Sequence, residues 1–224
     1  MIVWLASYPR SGNTFLRMLL NRALAIKTLS LYDDRYDIGA WPTLSKIVGH
    51  LSHGMDPIQF REYARGSDEV FFVKTHELPD DDAKTIYVVR DGRANIVSFH
   101  KFCQCSSEKR ISLTNFITGK HWPGTWSSHV DAWALSRRPN TLVLRYEDLV
   151  AENMQPLRRV ADFLGLPEPK SASVDFAELH ALFPNFFRSG SNEKNIAELR
   201  GDDLKLFWTL HGKTMERLGY TDRI

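Results

Sequence analysis

The stretch SYPRSGNT, residues 7–14, lies between a predicted strand and a predicted helix. The apolar run IVWLA, residues 2–6, comes before it, and apolar side chains at helical spacing come after it, at Phe15, Met18, Leu19 and Ile26. A loop that joins a strand to a helix directs backbone N–H groups, and the positive end of the helix dipole, at one point. The stretch therefore predicts an anion-binding loop.

The residue types of this loop suit a phosphate-like ligand. Gly12 permits a close approach of the backbone, and Arg10 adds a charge that it cannot lose. Ser11, Asn13 and Thr14 add short hydrogen-bond donors. On this loop alone, a purely structural turn between strand and helix is the alternative.

The loop departs from the nucleotide-binding pattern G-x-x-x-x-G-K-[ST] in two places. Ser7 stands where that pattern has its first glycine, and Asn13 stands where it has the lysine that binds terminal phosphates. The cation is instead Arg10, two residues before Gly12. The loop is therefore only weak support for a kinase or a nucleotidase.

Apolar runs of strand length recur along the chain, at 2–6, 70–74, 85–90 and 141–146. Helical patterns are predicted at 93–102, 126–136, 148–164 and 202–218. Continuous apolar strands indicate burial on both faces, which is typical of a parallel sheet between helix layers. We expect an α/β three-layer sandwich with a P-loop-like strand–loop–helix, forming one domain over residues 1–224. Two segments, 30–56 and 103–125, resist assignment and are candidate lids or acceptor-binding loops.

Composition restricts the class of partner. The 224 residues carry a formal net charge of +2, which does not call for nucleic acid as a partner. No run of 18 apolar residues occurs, so we expect no membrane span. Cys103 and Cys105 are too close together for a good structural disulfide and are expected to be reduced thiols. With no signal-peptide pattern at the start, a cytoplasmic location is expected.

The loop resembles the 5′-phosphosulfate-binding segment of sulfotransferases that use 3′-phosphoadenosine-5′-phosphosulfate (PAPS) as donor. That segment usually reads Y-P-K-S-G-T-T-W, and residues 8–15 read YPRSGNTF. Four further family segments follow in family order: K-T-H at 74–76, an Arg at 90 with a Ser eight residues later at 98, Y-E-D at 146–148, and an altered R-K-G loop at 188–190 with K-N at 194–195. Together they cover most of the chain.

The resemblance implies which residues bind PAPS and its product PAP. Those residues are Arg10, Ser11, Gly12, Asn13, Thr14, Phe15, Arg90, Ser98, Tyr146, Arg188, Ser189 and Gly190. Arg90 and Ser98 correspond to the grip on the 3′-phosphate, and 188–190 to a flap over the same phosphate. Phe15 replaces the family tryptophan as a stacking ring for adenine, and Tyr146 is expected near the adenine edge. Packing in the core is the alternative for both rings.

The resemblance also implies the catalytic residues. His76 matches the family base, and an imidazole titrates near neutral pH, so it can accept the acceptor's proton. A hydrogen-bonded loop histidine is the alternative, with Glu77 as the reserve base. Lys74 and Arg10 are expected on the sulfuryl and bridging oxygens. Arg10 stands where the family commonly has Lys; it can stabilise charge but cannot act as a general acid. No metal is implied.

Several points stay open at the level of sequence. The acceptor is a small molecule or a glycan of unknown class, and the oligomeric state is open. His129 either contacts the acceptor or packs in the protein, and Arg93 is expected on a solvated helix face. One rival function is a nucleotide or small-molecule kinase that would use Asp91 to bind magnesium. The other rival is a non-catalytic module that binds PAP or phosphate.

Overall fold

The computed structural model describes residues 1–32, 38–106, 111–151, 153–184, 187 and 192–221. The chain forms two compact units. The first comprises Met1–Ser7, Gly12–Val89 and Arg137–Val174, and the second comprises Tyr8–Ser11, Arg90–Ser136 and Asp175–Ile224. The single domain predicted for residues 1–224 stays a prediction.

The first unit contains a parallel sheet. Its strands are β1 Ile2–Ser7, β2 Leu29–Ser30, β3 Phe71–Thr75, β4 Thr85–Val89 and β5 Thr141–Arg145. Within the described residues the sheet has five strands in the order β2–β3–β1–β4–β5, and each neighbouring pair is parallel. Every residue of β1 and β4 is buried, as their continuous apolar sequences predict.

The first unit also contains α-helices. They are α1 Asn13–Leu24, α2 Pro42–Val48, α3 Pro57–Gly66, α7 Tyr146–Val150 and α8 Gln155–Leu164. Local sequence explains several of their ends. The carboxylate of Asp56 accepts hydrogen bonds from the N–H groups of Ile58 and Gln59 at the start of α3, and Gly165 ends α8 in the left-handed conformation. The central parallel sheet with flanking helices agrees with the predicted α/β three-layer sandwich.

The second unit is helical in the described residues. Its helices are α4 Gly92–Ser106, α5 Leu113–Ile117, α6 Trp126–Val130, α9 Phe176–Leu182, α10 Asn192–Ile196 and α11 Gly201–Arg217. A π-helical turn, Asp131–Leu135, continues α6, so the helix predicted at 126–136 is present but changes its hydrogen-bond pattern midway. None of the helices in the part of the chain that the structure describes is long and apolar enough to cross a membrane.

One predicted helix is wrong in its extent. Residues 148–164 were predicted to form a single helix, but α7 ends at Val150 and α8 begins at Gln155. Pro156 lies in the first turn of α8, where a missing N–H is tolerated, whereas it would break a helix interior. The side-chain oxygen of Asn153 accepts the N–H of Gln155 at 3.0 Å and starts the new helix. The predicted strand at 141–146 likewise ends at Arg145, because Tyr146 begins α7.

Candidate active site

The carboxyl ends of β1, β3 and β4 meet at one edge of the sheet. β1 pairs with β3 on one side and with β4 on the other, and Ala6 lies opposite Thr75 and Tyr87. The chain leaves β1 toward β2 and β3 on one side and reaches β4 on the other, which makes β1 a topological switch point. Ligands of open α/β sheets bind beyond the carboxyl ends of strands at such a point. Ser7 ends β1 and Thr75 ends β3, so the predicted motifs begin here.

The imidazole of His76 is held by the last residue of β1. Its Nδ1 lies 2.7 Å from the carbonyl oxygen of Ser7 and 3.4 Å from the Ser7 hydroxyl oxygen. A carbonyl oxygen can only accept, so Nδ1 carries the hydrogen and donates it. A neutral His76 therefore has its lone pair on Nε2, which is the arrangement that a general base needs.

Asn13, the first residue of α1, supports the same strand end. Its side-chain nitrogen donates to the carbonyl oxygen of Leu5 at 2.8 Å and to the hydroxyl of Ser7 at 3.3 Å. Its side-chain amide is thus directed at β1, while its oxygen is buried and has no hydrogen-bond partner among the described residues. Asn13 links the start of the helix to Ser7, and Ser7 in turn holds His76.

Lys74 and His76 flank an aromatic ring that the sequence did not single out. The ammonium nitrogen of Lys74 lies 5.3 Å from the centroid of the Tyr32 ring, and the imidazole of His76 stacks on that ring at 6.0 Å with an interplanar angle of 21°. Lys74 is only 8% exposed. An ammonium and an imidazole, the two groups proposed for charge stabilisation and proton removal, therefore share one neighbour.

Gly12 is required by its backbone and by its neighbour. Its φ of +100° lies in the region that favours glycine, and a Cβ atom at this position would lie 2.4 Å from Cδ2 of Tyr146. Tyr146 is buried beside Gly12, and Phe15 is buried in α1. Tyr146 thus packs against the predicted phosphosulfate loop. The adenine contacts predicted for Phe15 and Tyr146 stay predictions, as does the role of Thr14, which is half-buried in α1.

The second unit contains the first half of the loop, Tyr8–Ser11. Arg10 adopts a φ of +68°, which is uncommon for a residue with a side chain, and its guanidinium carbon lies 4.7 Å from the ring centroid of Phe102. The anion-binding role predicted for this loop stays a prediction.

Tyr8 anchors this half of the loop. Its hydroxyl donates to the carbonyl oxygen of Gly124 at 3.0 Å, and its ring makes edge contacts with Phe99 and His129. Burial, and to a smaller extent the nearby Cys103, raises the pKa of the Tyr8 hydroxyl far above its usual value. The hydroxyl therefore keeps its proton and remains a donor. His129 is fully buried beside Tyr8.

Arg90 follows β4 directly and contacts the loop. It is 5% exposed; its Nη1 donates to the carbonyl oxygen of Arg10 at 3.2 Å, and its Nε donates to the side-chain oxygen of Asn192 at 2.7 Å. Ser98 lies in the second turn of α4 and is nearly buried. Arg188, Ser189 and Gly190, the predicted flap, lie outside the described residues.

Asn95, in α4, positions the hydroxyl of Ser11. Its side-chain nitrogen donates to Ser11 Oγ at 2.7 Å, and both residues are buried. Because Ser11 Oγ accepts this bond, the hydrogen of its hydroxyl is left to donate elsewhere. Asn95 therefore prepares Ser11 to donate a hydrogen bond.

The expectation that Arg93 lies on a solvated helix face is wrong. Arg93 is 4% exposed, and its Nε and Nη2 donate to Asp91 Oδ1 and Oδ2 at 3.1 and 2.7 Å. The Trp208 ring lies 5.5 Å from the guanidinium carbon. Asp91 also accepts the backbone N–H of Arg93 at the start of α4. Asp91 is the carboxylate that a kinase would use to bind magnesium. Because it already forms a buried ion pair with Arg93, the kinase hypothesis is weaker.

Sequence analysis did not identify Tyr32 and Asn95, two residues that contact predicted site residues, and the reasons differ. Tyr32 lies in the segment 30–56, which was left unassigned, because the two-residue strand β2 before it is too short to give a strand pattern. Asn95 stands inside the Arg90 to Ser98 motif, and its contact with Ser11 joins positions 84 residues apart. No local pattern in the sequence reports such a contact.

Comparison with known proteins matches the sequence of this chain to one family. Residues 2–185 match the family model of the sulfotransferase domain. The mouse protein Sulfotransferase 1A1 is 30% identical over 196 residues, which are 81% of this chain and 65% of that protein. The chain thus spans less than two thirds of the length of this curated relative.

Solved structures share the fold. The crystal structure of mouse sulfotransferase SULT7A1 complexed with PAP superposes with a TM-score of 0.69 at 18% identity, covering 98% of this chain and 85% of that one. A retinol dehydratase in complex with androsterone and PAP gives a TM-score of 0.66 at 20% identity, covering 96% of this chain and 80% of that one. The predicted α/β fold class is thereby confirmed.

Proposed function

The chain belongs to the sulfotransferase domain family, and on that premise we propose that it transfers a sulfuryl group from PAPS to a hydroxyl or amine of an acceptor. In this reaction the acceptor oxygen or nitrogen bonds to sulfur, and the bond from sulfur to the bridging oxygen breaks. The acceptor's proton passes to a base, and PAP leaves with the electron pair of the broken bond. The reaction needs a base, fixed positive charge on the sulfuryl oxygens and a stabilised leaving phosphate.

The observation that carries this proposal is the bond from His76 Nδ1 to the carbonyl oxygen of Ser7. It directs the basic nitrogen Nε2 away from β1, while keeping the ring at the residue where the phosphosulfate loop begins. We assign proton removal to His76, with Glu77 as the reserve base.

Lys74 and Arg10 are assigned to the sulfuryl and bridging oxygens, as the family motifs imply. Lys74 is almost buried, so its ammonium acts in surroundings with little water, where charge stabilisation is stronger than in solution. Arg10 has a planar guanidinium that can hold two oxygens at once. Arg cannot lose its proton, so its role is to stabilise charge on the leaving group.

The remaining residues are assigned to the nucleotide. Arg90 and Ser98 bind the 3′-phosphate, and the segment 188–190 closes over it. Ser11, Gly12, Asn13 and Thr14 contribute backbone N–H groups and hydroxyls to the 5′-phosphosulfate, while Phe15 and Tyr146 face adenine. The buried position of Arg90 and its bond to the Arg10 carbonyl oxygen support a role in ligand binding over a surface ion pair. We assign residues 1–224 to one sulfotransferase domain.

A thermal-shift comparison tests the donor. PAP and PAPS should each raise the melting temperature at micromolar concentration, whereas adenosine 5′-phosphate, which lacks the 3′-phosphate, and Mg-ATP should raise it far less. A larger shift with Mg-ATP than with PAP would contradict the proposal and favour a kinase. Stabilisation by PAP without any transfer from PAPS would favour the non-catalytic module.

A product screen then tests the transfer. PAPS labelled in its sulfuryl group is incubated with phenols, sugars and amines, and each product is sought by mass as the acceptor plus one sulfuryl group. We propose a small-molecule or glycan acceptor and a cytoplasmic enzyme that needs no metal. Chelation with EDTA should therefore leave turnover unchanged, and a loss that magnesium restores would contradict that assignment.

A further inference from the structure

Tyr32 lies opposite His76 because of the register between β2 and β3. Ser30 pairs with Lys74 in the parallel ladder. Two residues further along each chain come Tyr32 and His76, whose rings stack at 6.0 Å. The ring of Tyr32 contacts both Lys74 and His76, so the three side chains lie together just beyond the paired residues.

The hydroxyl of Tyr32 ends the ladder between these strands. The N–H of Leu31 donates to the carbonyl oxygen of Lys74 at 3.0 Å, in the usual manner of a parallel pair. The next N–H along, that of His76, donates to the Tyr32 hydroxyl at 2.6 Å. The Tyr32 hydroxyl therefore replaces a backbone carbonyl as the hydrogen-bond acceptor at His76, the first residue after β3.

The ring of Tyr32 acts on Lys74. The ammonium nitrogen lies 5.3 Å from the ring centroid, within the range of a cation–π interaction. A lysine has a long, flexible side chain, and its ammonium is a point charge without preferred direction. An aromatic face beside a nearly buried ammonium limits where that charge can lie.

We propose that Tyr32 is a positioning residue, which fixes the ammonium of Lys74 through its ring and the backbone of His76 through its hydroxyl. This inference rests on the proposed function, in which Lys74 stabilises sulfuryl charge and His76 removes a proton. Reactions of this kind lose rate steeply when reacting groups move by a fraction of an ångström. Tyr32 does not itself exchange a proton with the substrate.

Two substitutions separate the contributions of ring and hydroxyl. Tyr32→Phe removes only the hydroxyl and should lower kcat by about 3- to 10-fold. Tyr32→Leu removes the ring as well and should lower kcat by about 10- to 100-fold. The Kd for PAP should stay within about 2-fold of wild type in both, since the nucleotide contacts are unchanged. Tyr63→Phe, at a half-exposed tyrosine of α3, is the matched control and should behave as wild type.

A second readout does not depend on activity. The amide hydrogen of His76 is bonded to the Tyr32 hydroxyl, so it should exchange with solvent about 10-fold faster in Tyr32→Phe and at the wild-type rate in Tyr63→Phe. Exchange followed by NMR measures this in the wild-type chain and each variant. Because Tyr32→Phe keeps the ring and its packing, this variant keeps the test decisive even if Tyr32→Leu fails to fold.

The outcomes are distinct. A Tyr32→Phe enzyme with wild-type kcat overturns the inference, and so does one with reduced kcat but unchanged exchange at His76, because Tyr32 would then act by another route. A wild-type protein that neither binds PAP nor transfers sulfuryl groups contradicts the proposed function instead. The exchange rate at His76 would still decide whether Tyr32 fixes that turn.

Discussion

The Nδ1 atom of His76 and the carbonyl oxygen of Ser7, 2.7 Å apart, join two strands that lie side by side in the sheet. One residue ends β1 and begins the phosphosulfate loop, and the other follows β3 directly. The bond therefore fixes the tautomer of His76, the candidate base. It does so through the residue at which the candidate donor loop begins. The bond uses the backbone oxygen of Ser7, so substituting the Ser7 side chain would leave it in place, whereas replacing His76 would remove it.

His76→Ala should lower kcat by about 100- to 10,000-fold, the usual contribution of a positioned base. Affinity for PAP should be nearly unchanged, because the imidazole is not assigned to the nucleotide. Steady-state transfer and calorimetric PAP binding measure the two effects. His180→Ala, at an exposed histidine of α9, is the control. Near-normal turnover at saturating acceptor would exclude His76 and make Glu77→Gln the next variant to measure.

Arg90→Ala should weaken PAPS binding by roughly ten- to a hundredfold, since a hydrogen bond to a charged group contributes about 1.5–3 kcal/mol. The wild type should bind a donor without the 3′-phosphate much less tightly than PAPS, whereas the variant should hardly distinguish the two. Titration of both donors into both proteins measures this. If wild type and variant discriminated equally, the 3′-phosphate would bind elsewhere.

Arg10→Ala should lose far more turnover than donor affinity, because charge on the bridging oxygen develops during transfer. Arg10→Lys should recover much of the rate, since a lysine also supplies a cation. Single-turnover transfer beside equilibrium PAP binding compares the three proteins. Normal turnover of Arg10→Ala at saturating PAPS would reduce Arg10 to a residue that only docks the donor.

Arg93→Ala should lower the free energy of unfolding by about 3–5 kcal/mol, because it leaves the buried carboxylate of Asp91 without its guanidinium partner. Replacing Asp91 by Asn in addition should restore part of the loss, since Asn can still accept the N–H at the start of α4. Urea unfolding measures both. Arg158→Ala removes an exposed ion pair with Glu168 and should cost less than about 1 kcal/mol. Equal costs at Arg93 and Arg158 would contradict a buried pair.

His211 should make the fold sensitive to acid. Burial lowers the pKa of its imidazole below the usual 6.5, against a smaller opposite effect of its bond to the Ile117 carbonyl oxygen. Below about pH 6.5 the unfolded chain therefore takes up a proton that the folded one resists, so stability falls as the pH falls toward the folded pKa, by up to about 1.4 kcal/mol per pH unit. Denaturation from pH 7 to 5 should be less pH-dependent in His211→Gln. Identical pH dependence of the two proteins would show that His211 does not contribute.

The sequence predicted the strands, and the loop between β1 and α1, well because both depend on local patterns. Buried parallel strands require continuous apolar runs, and a loop before a helix requires small and polar residues. The runs at 85–90 and 141–146 correspond to β4 and β5 within one residue. The short edge strand β2, with two residues, gives too weak a pattern to be recognised.

Distant contacts explain what the sequence missed. Arg93 was expected on the surface because arginine is usually exposed, and its ion pair with the neighbouring Asp91 is buried under Trp208, which is distant in the sequence. Tyr32 contacts His76 because of the register between β2 and β3. A short stretch of sequence does not reveal the register between two strands. The break between α7 and α8 could have been predicted from Pro156. A proline is tolerated in the first turn of a helix but breaks a helix interior, so a helix should begin close to it.

The positive φ of Arg10 lowers the stability of the fold at a residue to which we assign charge stabilisation in the reaction. The left-handed region costs a residue with a side chain about 1–2 kcal/mol, a cost that Asn or Gly largely avoids. Screening libraries of this protein for heat tolerance alone would therefore enrich Asn or Gly at position 10. Such variants would survive heating while losing the guanidinium assigned to the leaving group. An engineer who wants a more durable catalyst should hold this position constant and seek stabilising changes elsewhere in the chain.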